Sequence, residues 1–254
     1  MNTHQIKAIQ YKKGEHKEVE EIVVIDKTLH LTINNLTTNN TIKRKFSVLD
    51  DSIKEFITGN MLTEGIISSI EDIISLKIDS TEDEVKVDVE IKIDDENNKN
   101  NKNDKNDKNN ENENITPITS DLKVKKDEIL ENMEKLRENA LIWQATGGCH
   151  VAAIVYKDQF IVKEDVSRHV AVDKVIGVGA YEGFDLSNAY IIYSGRMPKD
   201  MVIKLVRTKI PILISNAAPS YSGIKIAEKG NITLVGFVRG NRFNIYTNKN
   251  RVEF

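Results

Sequence analysis

The only cysteine of this 254-residue chain, Cys149, sits in QATGGCHVAAI, residues 144–154, behind two glycines and directly before His150. A thiol in that setting admits three chemistries. As a nucleophile it needs its pKa lowered by cations or a helix N-terminus, because the thiolate is the reactive form. As a zinc ligand it needs further ligands, and the chain has no second cysteine and no CxxC. As a small apolar residue it only fills a turn or a core. Adjacent strand residues point to opposite faces, so His169 is a better candidate base than His150, provided the fold brings it to the thiol.

A second cluster lies in KEDVSRHVAVDK, residues 163–174. Glu164, Asp165, Arg168, His169 and Asp173 fall within ten residues across a strand-to-helix junction. Asp173 stands one helical turn from His169, so Arg168, His169 and Asp173 are candidates for a buried polar network. The competing reading is a helix cap at Ser167 and a surface ion pair. Three further polar stretches each follow an apolar run: GRMPKD, NAAPSYSG and VRGNR. Their arginines, Arg196, Arg239 and Arg242, are suited to bidentate grip of phosphate or carboxylate. Ser215, Asn216, Ser220 and the start of the helix after Pro219 add donors. Singly, such glycines make turns and such arginines solvate surfaces; three basic clusters at three strand ends argue for an anionic ligand.

Those stretches need elements to hold them. EEIVVID (20–26) and LHLTINN (29–35) read as strands flanking a break at Lys27–Thr28. In DDSIKEFITGNMLTEGII, Ile53, Phe56, Ile57, Met61 and Leu62 recur at helical spacing, with Asp51 or Ser52 as N-cap and Glu55 reaching back. EVKVDVEIKID (84–94) alternates as a strand. Residues 96–114 contain no apolar side chain and read as a disordered linker or insertion. A single helix is expected over 125–143, with Ile129, Met133, Leu136, Ala140 and Trp143 on its apolar face. HVAAIVY and FIVKEDV form a hairpin turning at Lys157–Asp158–Gln159. SRHVAVDKVIGVG, MPKDMVIKLVRT and PSYSGIKIAEKG, the last stopped by Gly230, are expected helices. They alternate with the strands AYIIYSG (189–195), IPILIS (210–215), NITLVGF (231–237) and FNIYTN (243–248). Short continuous apolar strands alternating with helices indicate an α/β layer covered on both faces. The division is therefore an N-terminal β-rich part with one helix over 1–95, a linker over 96–120, and an α/β domain over 121–254.

Lys+Arg number 36 against Asp+Glu 39, a formal net charge of −3, which gives no global case for nucleic acid or an acidic membrane. No run approaches the roughly 20 apolar residues of a membrane span. The N-terminal stretch shows no signal peptide, and one cysteine excludes an intrachain disulfide. The expectation is a reduced, cytoplasmic protein.

Taken together and in order, LTEGIISSIEDI, TGGCHVAA, EDVSRHVAVDK, SGRMPKDMVIK and NAAPSYSGIKIAEKGNITLVGFVRGNRFNIYT resemble the FdhD family, from about residue 20 to residue 248. These are accessory sulfurtransferases of formate dehydrogenase maturation. The resemblance implies an α/β fold, α+β overall: a cytidine-deaminase-like mixed-sheet layer behind an N-terminal β-rich part. It implies a homodimer that takes sulfur from a cysteine desulfurase or other donor. The sulfur passes to the molybdenum or tungsten bis(guanine dinucleotide) pterin cofactor, bound as cargo before insertion into formate dehydrogenase, with GDP as a mimic and no metal bound directly. The family's cofactor-binding stretch falls on Phe237, Val238, Arg239, Gly240, Asn241 and Arg242, in agreement with VRGNR as an anion site. Gly147, Gly148 and His150 then help to shape the cleft.

The chain departs from the family in one serious place. Members carry a CGxCG-type loop between the two parts, whose first cysteine takes the persulfide; the corresponding region here, NNKNNKNDKNDKNNENENITPITSDLK, has no cysteine. Cys149 is left as the sulfur-handling candidate by elimination. The alternative is a cofactor-binding chaperone with no covalent sulfur step. Smaller departures are Ser167, where glycine is usual, and Ser220, where threonine is usual. A zinc deaminase, suggested by the related fold, lacks its H-x-E and P-C-x-x-C patterns here.

Overall fold

The structure, a computed structural model, describes residues 2–93 and 115–254. The Asn/Lys-rich run expected to be a linker lies outside the described residues. Residues 115–120 are described and pack on the α/β unit: Ile118 is buried, and its amide donates to the Gly230 carbonyl at 2.9 Å.

The N-terminal part opens with a hairpin, β1 (Thr3–Lys12) and β2 (Glu15–Val24), closed by Lys13 and Gly14, both at positive φ. A four-stranded sheet follows, ordered β4-β3-β6-β5, from β3 (Lys27–Asn35), β4 (Asn40–Val48), β5 (Ile73–Ser80) and β6 (Glu84–Ile91). The expected break at Lys27–Thr28 is displaced: both residues pair with β4, and the chain leaves its strand at Ile25–Asp26 instead. Alternate residues Leu29, Leu31, Ile33, Val85, Val87, Val89 and Ile91 are buried against α1 (Ile53–Thr63). Ser52 precedes that helix in a left-handed conformation, φ 49°, and its side chain makes no cap, so the expected capping box does not form.

The second part is a six-stranded mixed sheet, ordered β13-β12-β11-β10-β8-β9. Its strands are β8 (His150–Tyr156), β9 (Gln159–Asp165), β10 (Tyr190–Tyr193), β11 (Ile212–Ser215), β12 (Thr233–Arg239) and β13 (Arg242–Ile245). Strands β10, β11 and β12 run parallel, whereas β8 and β13 are antiparallel to their neighbours. A two-residue bridge joins β7 (Val124–Lys125) to β14 (Val252–Glu253). The expected helix over 125–143 is two: α2 (Lys126–Glu138) and α3 (Leu141–Thr146). The Asn139 side chain donates to the Lys135 carbonyl at 2.8 Å and ends the first. Trp143, placed on the apolar face from its spacing, is exposed.

Both faces of this sheet are covered, which is why its strands read as continuous apolar runs. Ile191, Leu213 and Leu234 pack with α4 (Arg168–Tyr181), α5 (Lys199–Thr208) and α6 (Tyr221–Gly230). Ile192, Ile214 and Val235 pack with Ile129 and Met133 of α2. The residue that turns left-handed after α6 is Asn231, φ 54°, rather than Gly230.

Helices α1 and α4 join the two parts at backbone contact. A Cβ on Gly59 would lie 1.8 Å from the Asp173 carbonyl oxygen, and one on Gly177 would lie 1.9 Å from that of Glu55. Because β9 lies parallel to β10, the segments β9–α4, β10–α5 and β11–α6 all turn at one edge of the sheet. Three helix N-termini, each carrying partial positive charge, therefore face that edge.

Candidate functional site

At that edge the loops after β10, β11 and β12 are bonded into one shelf. Met197 and residues 218–220 exchange two backbone hydrogen bonds, Met197 N–H to Ala218 O and Ser220 N–H to Met197 O, both 3.1 Å. The Ser215 hydroxyl donates to the Gly195 carbonyl at 2.6 Å, and the Tyr193 hydroxyl donates to the Arg196 carbonyl. Strand β12 bulges between Gly236 and Arg239, which puts Phe237 at φ 53° and lets its amide donate to Ala217 O at 3.1 Å. Arg239 then donates from Nε to Asn216 O at 3.1 Å, its guanidinium 5.9 Å from the Phe237 ring centre. Gly240, φ 54°, turns the chain into β13, and Arg239 and Arg242 come directly opposite each other. Like charges across a strand pair are unfavourable. Among the described residues neither arginine has an acidic partner. Arg196, Arg239, Gly240, Asn241 and Arg242 are exposed, and Phe237 is half-buried. Val238, expected to contact cofactor, instead packs into the α2-side core at 1 % exposure.

A second cluster stands at the same edge between β8, β10 and α4. The Ser194 hydroxyl oxygen accepts from the Val151 amide at 3.1 Å and lies 3.3 Å from His150 Nδ1. With that oxygen accepting from Val151, its proton is available to Nδ1, and in the tautomer that takes it Nε2–H is the imidazole's own donor. Burial, and then the Arg168 charge, hold the His150 pKa below its ordinary value, so the ring is neutral. Gly195 leaves room for Arg168: a Cβ there would lie 2.7 Å from the Tyr193 ring and 3.1 Å from Arg168 Cδ. Gly195 heads the stretch GRMPKD singled out from the sequence, whereas Ser194 was not; its signal is its place at the end of the apolar run YIIY.

The acidic candidates have partners of their own. Glu164 accepts the Ile142 and Trp143 amides at 2.9 and 2.7 Å and so caps α3. Asp165 pairs with Lys174 at 2.9 Å, both side chains fully buried, and accepts from the Leu49 and Ser167 amides. Ser167, expected as a side-chain cap, makes none. Asp173 accepts from Asn60, Thr63 and Lys204 at 2.8–2.9 Å, so its network runs to α1 and α5 and not to Arg168 and His169. His169 pairs with Asp200 at 3.5 Å rather than with Cys149. Ser215 and Ser220 are structural, the latter capping α6 through the Gly223 amide at 3.1 Å. Gly147, φ 65°, ends α3, and a Cβ on Gly148 would sit 2.9 Å from Val24 Cγ1.

Cys149 is 6 % exposed. Burial first, then the carboxylates of Glu164 and Asp165, push its thiol up to about 12, against a smaller opposing effect of Lys174. It is therefore a protonated, packed thiol at neutral pH. Among the described residues no group of three or more His, Cys, Asp or Glu side chains could hold a metal, and no helix is long and apolar enough to cross a membrane. The donor set of the edge is cationic and amide-rich, which suits a polyphosphate.

The sequence matches the FdhD/NarQ family over residues 25–253. It is 41 % identical over 242 residues to a Methanothermobacter thermautotrophicus protein named sulfur carrier protein FdhD, covering 94 % of each chain. A Wolinella succinogenes protein of the same name is 32 % identical over 247 residues, 93 % of this chain and 84 % of that one. The fold is shared with a crystal structure from Desulfotalea psychrophila, provisionally described as a formate dehydrogenase accessory protein. The TM-score is 0.79 at 23 % identity, over 100 % of both chains.

Proposed function

Because this chain belongs to the FdhD/NarQ family, we propose that it is an accessory protein of formate dehydrogenase maturation that holds the molybdenum or tungsten bis(guanine dinucleotide) pterin cofactor as cargo at the β10–β12 edge. One observation carries this reading: Arg239 and Arg242 face each other with no acid among the described residues to neutralise them, at the edge that receives three helix N-termini. A cargo phosphate would relieve that repulsion and accept from both guanidiniums. The shelf hydrogen bonds hold the arginine-bearing tip at rest, so little ordering would accompany binding. In this reading the chain's residues bind and orient, and the cargo supplies the redox chemistry only after delivery.

Sulfur relay through Cys149 is a second reading, supported by the name of the relatives and by Cys149 being the sole thiol. Its burial and protonation favour the binding role, since relay would require this segment to open. The protein partners are formate dehydrogenase and, for the relay, a cysteine desulfurase or another sulfur donor. A homodimer also belongs to the proposal. It is supported by the β1–β2 hairpin, an isolated two-stranded ribbon with Ile9, Tyr11 and Ile22 exposed.

The test is complementation of a strain lacking its formate dehydrogenase accessory protein. The wild type and Cys149→Ser are expected to restore formate dehydrogenase activity, and Arg239→Ala/Arg242→Ala to fail. Failure of Cys149→Ser alone, with persulfide found on wild-type Cys149 by mass spectrometry, would establish the relay instead.

A further inference from the structure

We infer that Arg168, His150 and Ser194 form a second oxyanion subsite that takes a phosphate of the bound guanine nucleotide, separate from the Arg239–Arg242 tip. The inference rests on the cofactor-binding reading and assigns a role within it.

Arg168 is the first residue of the 14-residue helix α4, which starts without a side-chain cap. Its Nε is fully buried and has no hydrogen-bond partner, and among the described residues no carboxylate pairs with its guanidinium. A buried, unpaired donor on a charged group is costly and calls for a partner such as a water, an ion or a ligand group. Gly195 opens the space for it: a Cβ there would lie 3.1 Å from Arg168 Cδ and 2.7 Å from the Tyr193 ring. Beside it the Ser194 hydroxyl lies 3.3 Å from His150 Nδ1. His150 is on β8, and in the tautomer whose Nδ1 accepts from Ser194 its Nε2–H supplies a neutral donor next to a cation. Such a pair binds an anion without adding a second full charge to be desolvated.

The nearby acid does not fill this role. Asp200, in the first turn of α5, pairs with His169. The buried carboxylates Asp165 and Asp173 have their own lysines, Lys174 and Lys204, and Glu164 caps α3.

Arg168 stands beside Gly195 after β10, Arg239 is tied to Asn216 after β11, and the bonded shelf of residues 194–198 and 216–220 connects the two places.

Titration calorimetry of the full chain with GDP and GMP tests this, with a thermal melt of each variant as a control on folding. Arg168→Gln is expected to weaken GDP binding about tenfold or more and to bring the GDP and GMP affinities close together. Arg168→Lys should restore part of the preference. His150→Gln, which leaves Arg168 in place, should shift the ratio in the same direction by less, and it serves if Arg168→Gln fails to fold. Arg239→Ala/Arg242→Ala should weaken both nucleotides while keeping their ratio. A wild-type ratio in folded Arg168→Gln, or in His150→Gln if Arg168→Gln does not fold, overturns the subsite and leaves the cofactor-binding reading standing. No binding of either nucleotide by the wild type overturns both.

Discussion

Arg239 and Arg242 are cross-strand partners at the tip of the β12–β13 hairpin, two positive charges in direct register with no carboxylate of the described residues paired to them. Like charges so placed cost a few tenths of a kcal/mol to about 1 kcal/mol. Arg242→Glu replaces that repulsion with attraction across the same register. It should raise stability in urea by about 0.2–1 kcal/mol and abolish nucleotide binding. A gain in stability without loss of binding would mean that the tip does not touch the ligand.

Cys149 should be slow towards thiol reagents. With its thiol near 12 rather than the ordinary 9.0, roughly 10³-fold less thiolate is present at pH 7, and burial slows access further. Labelling with iodoacetamide, followed by mass spectrometry, should show native protein reacting far more slowly than urea-unfolded protein. Equal rates would show that the segment opens freely and would revive the relay.

The α1–α4 crossing tolerates no side chain at two positions. Gly59→Ala or Gly177→Ala puts a Cβ less than 2 Å from a carbonyl oxygen, so the helices must part. Each should destabilise by about 1–3 kcal/mol or more, read from the denaturation midpoint. Lys204→Ala strands Asp173, which is 1 % exposed, and should cost about 3–5 kcal/mol at the same junction.

Acid should weaken the fold through two histidines. His150 is held below the ordinary 6.5 by burial and then Arg168; His169 is held below it by burial and then Lys204, with Asp200 opposing. Between pH 6.5 and the lower folded values, the unfolded chain takes up protons that the folded chain refuses. Their contribution is thus complete above pH 6.5 and is lost progressively as pH falls from there through the lower folded values. His150→Gln should flatten this part of the stability–pH curve; an unchanged slope would place the effect elsewhere.

The α/β layer was legible because YIIY, ILIS and TLVGF are apolar at consecutive positions, a pattern that only a sheet covered on both faces buries. The arginines after those strands were legible for the same reason: strand ends locate the edge where ligands bind. The acids were not. Asp165 and Asp173 look like site carboxylates beside Arg168, but Lys174 is also tied to Asp51, and Asp173 also bonds Asn60, residues more than a hundred positions away. No local pattern reports a partner so remote. Of the β1–β2 hairpin only the end of β2 was legible, in EEIVVID; β1 and the pairing were not, because these strands are almost wholly exposed and carry little apolar alternation. Cys149 was legible as a lone thiol, but its chemistry was not, since burial and the carboxylates of Glu164 and Asp165 arise only in the folded chain.

The central claim is that this edge binds the nucleotide end of an anionic cofactor, and calorimetric titration of the wild-type chain and Arg239→Ala/Arg242→Ala with GDP measures it directly. Saturable wild-type binding that weakens about tenfold or more in the variant, with the thermal melt preserved, is the result expected. Equal affinity in the two proteins, or no wild-type binding, would contradict it.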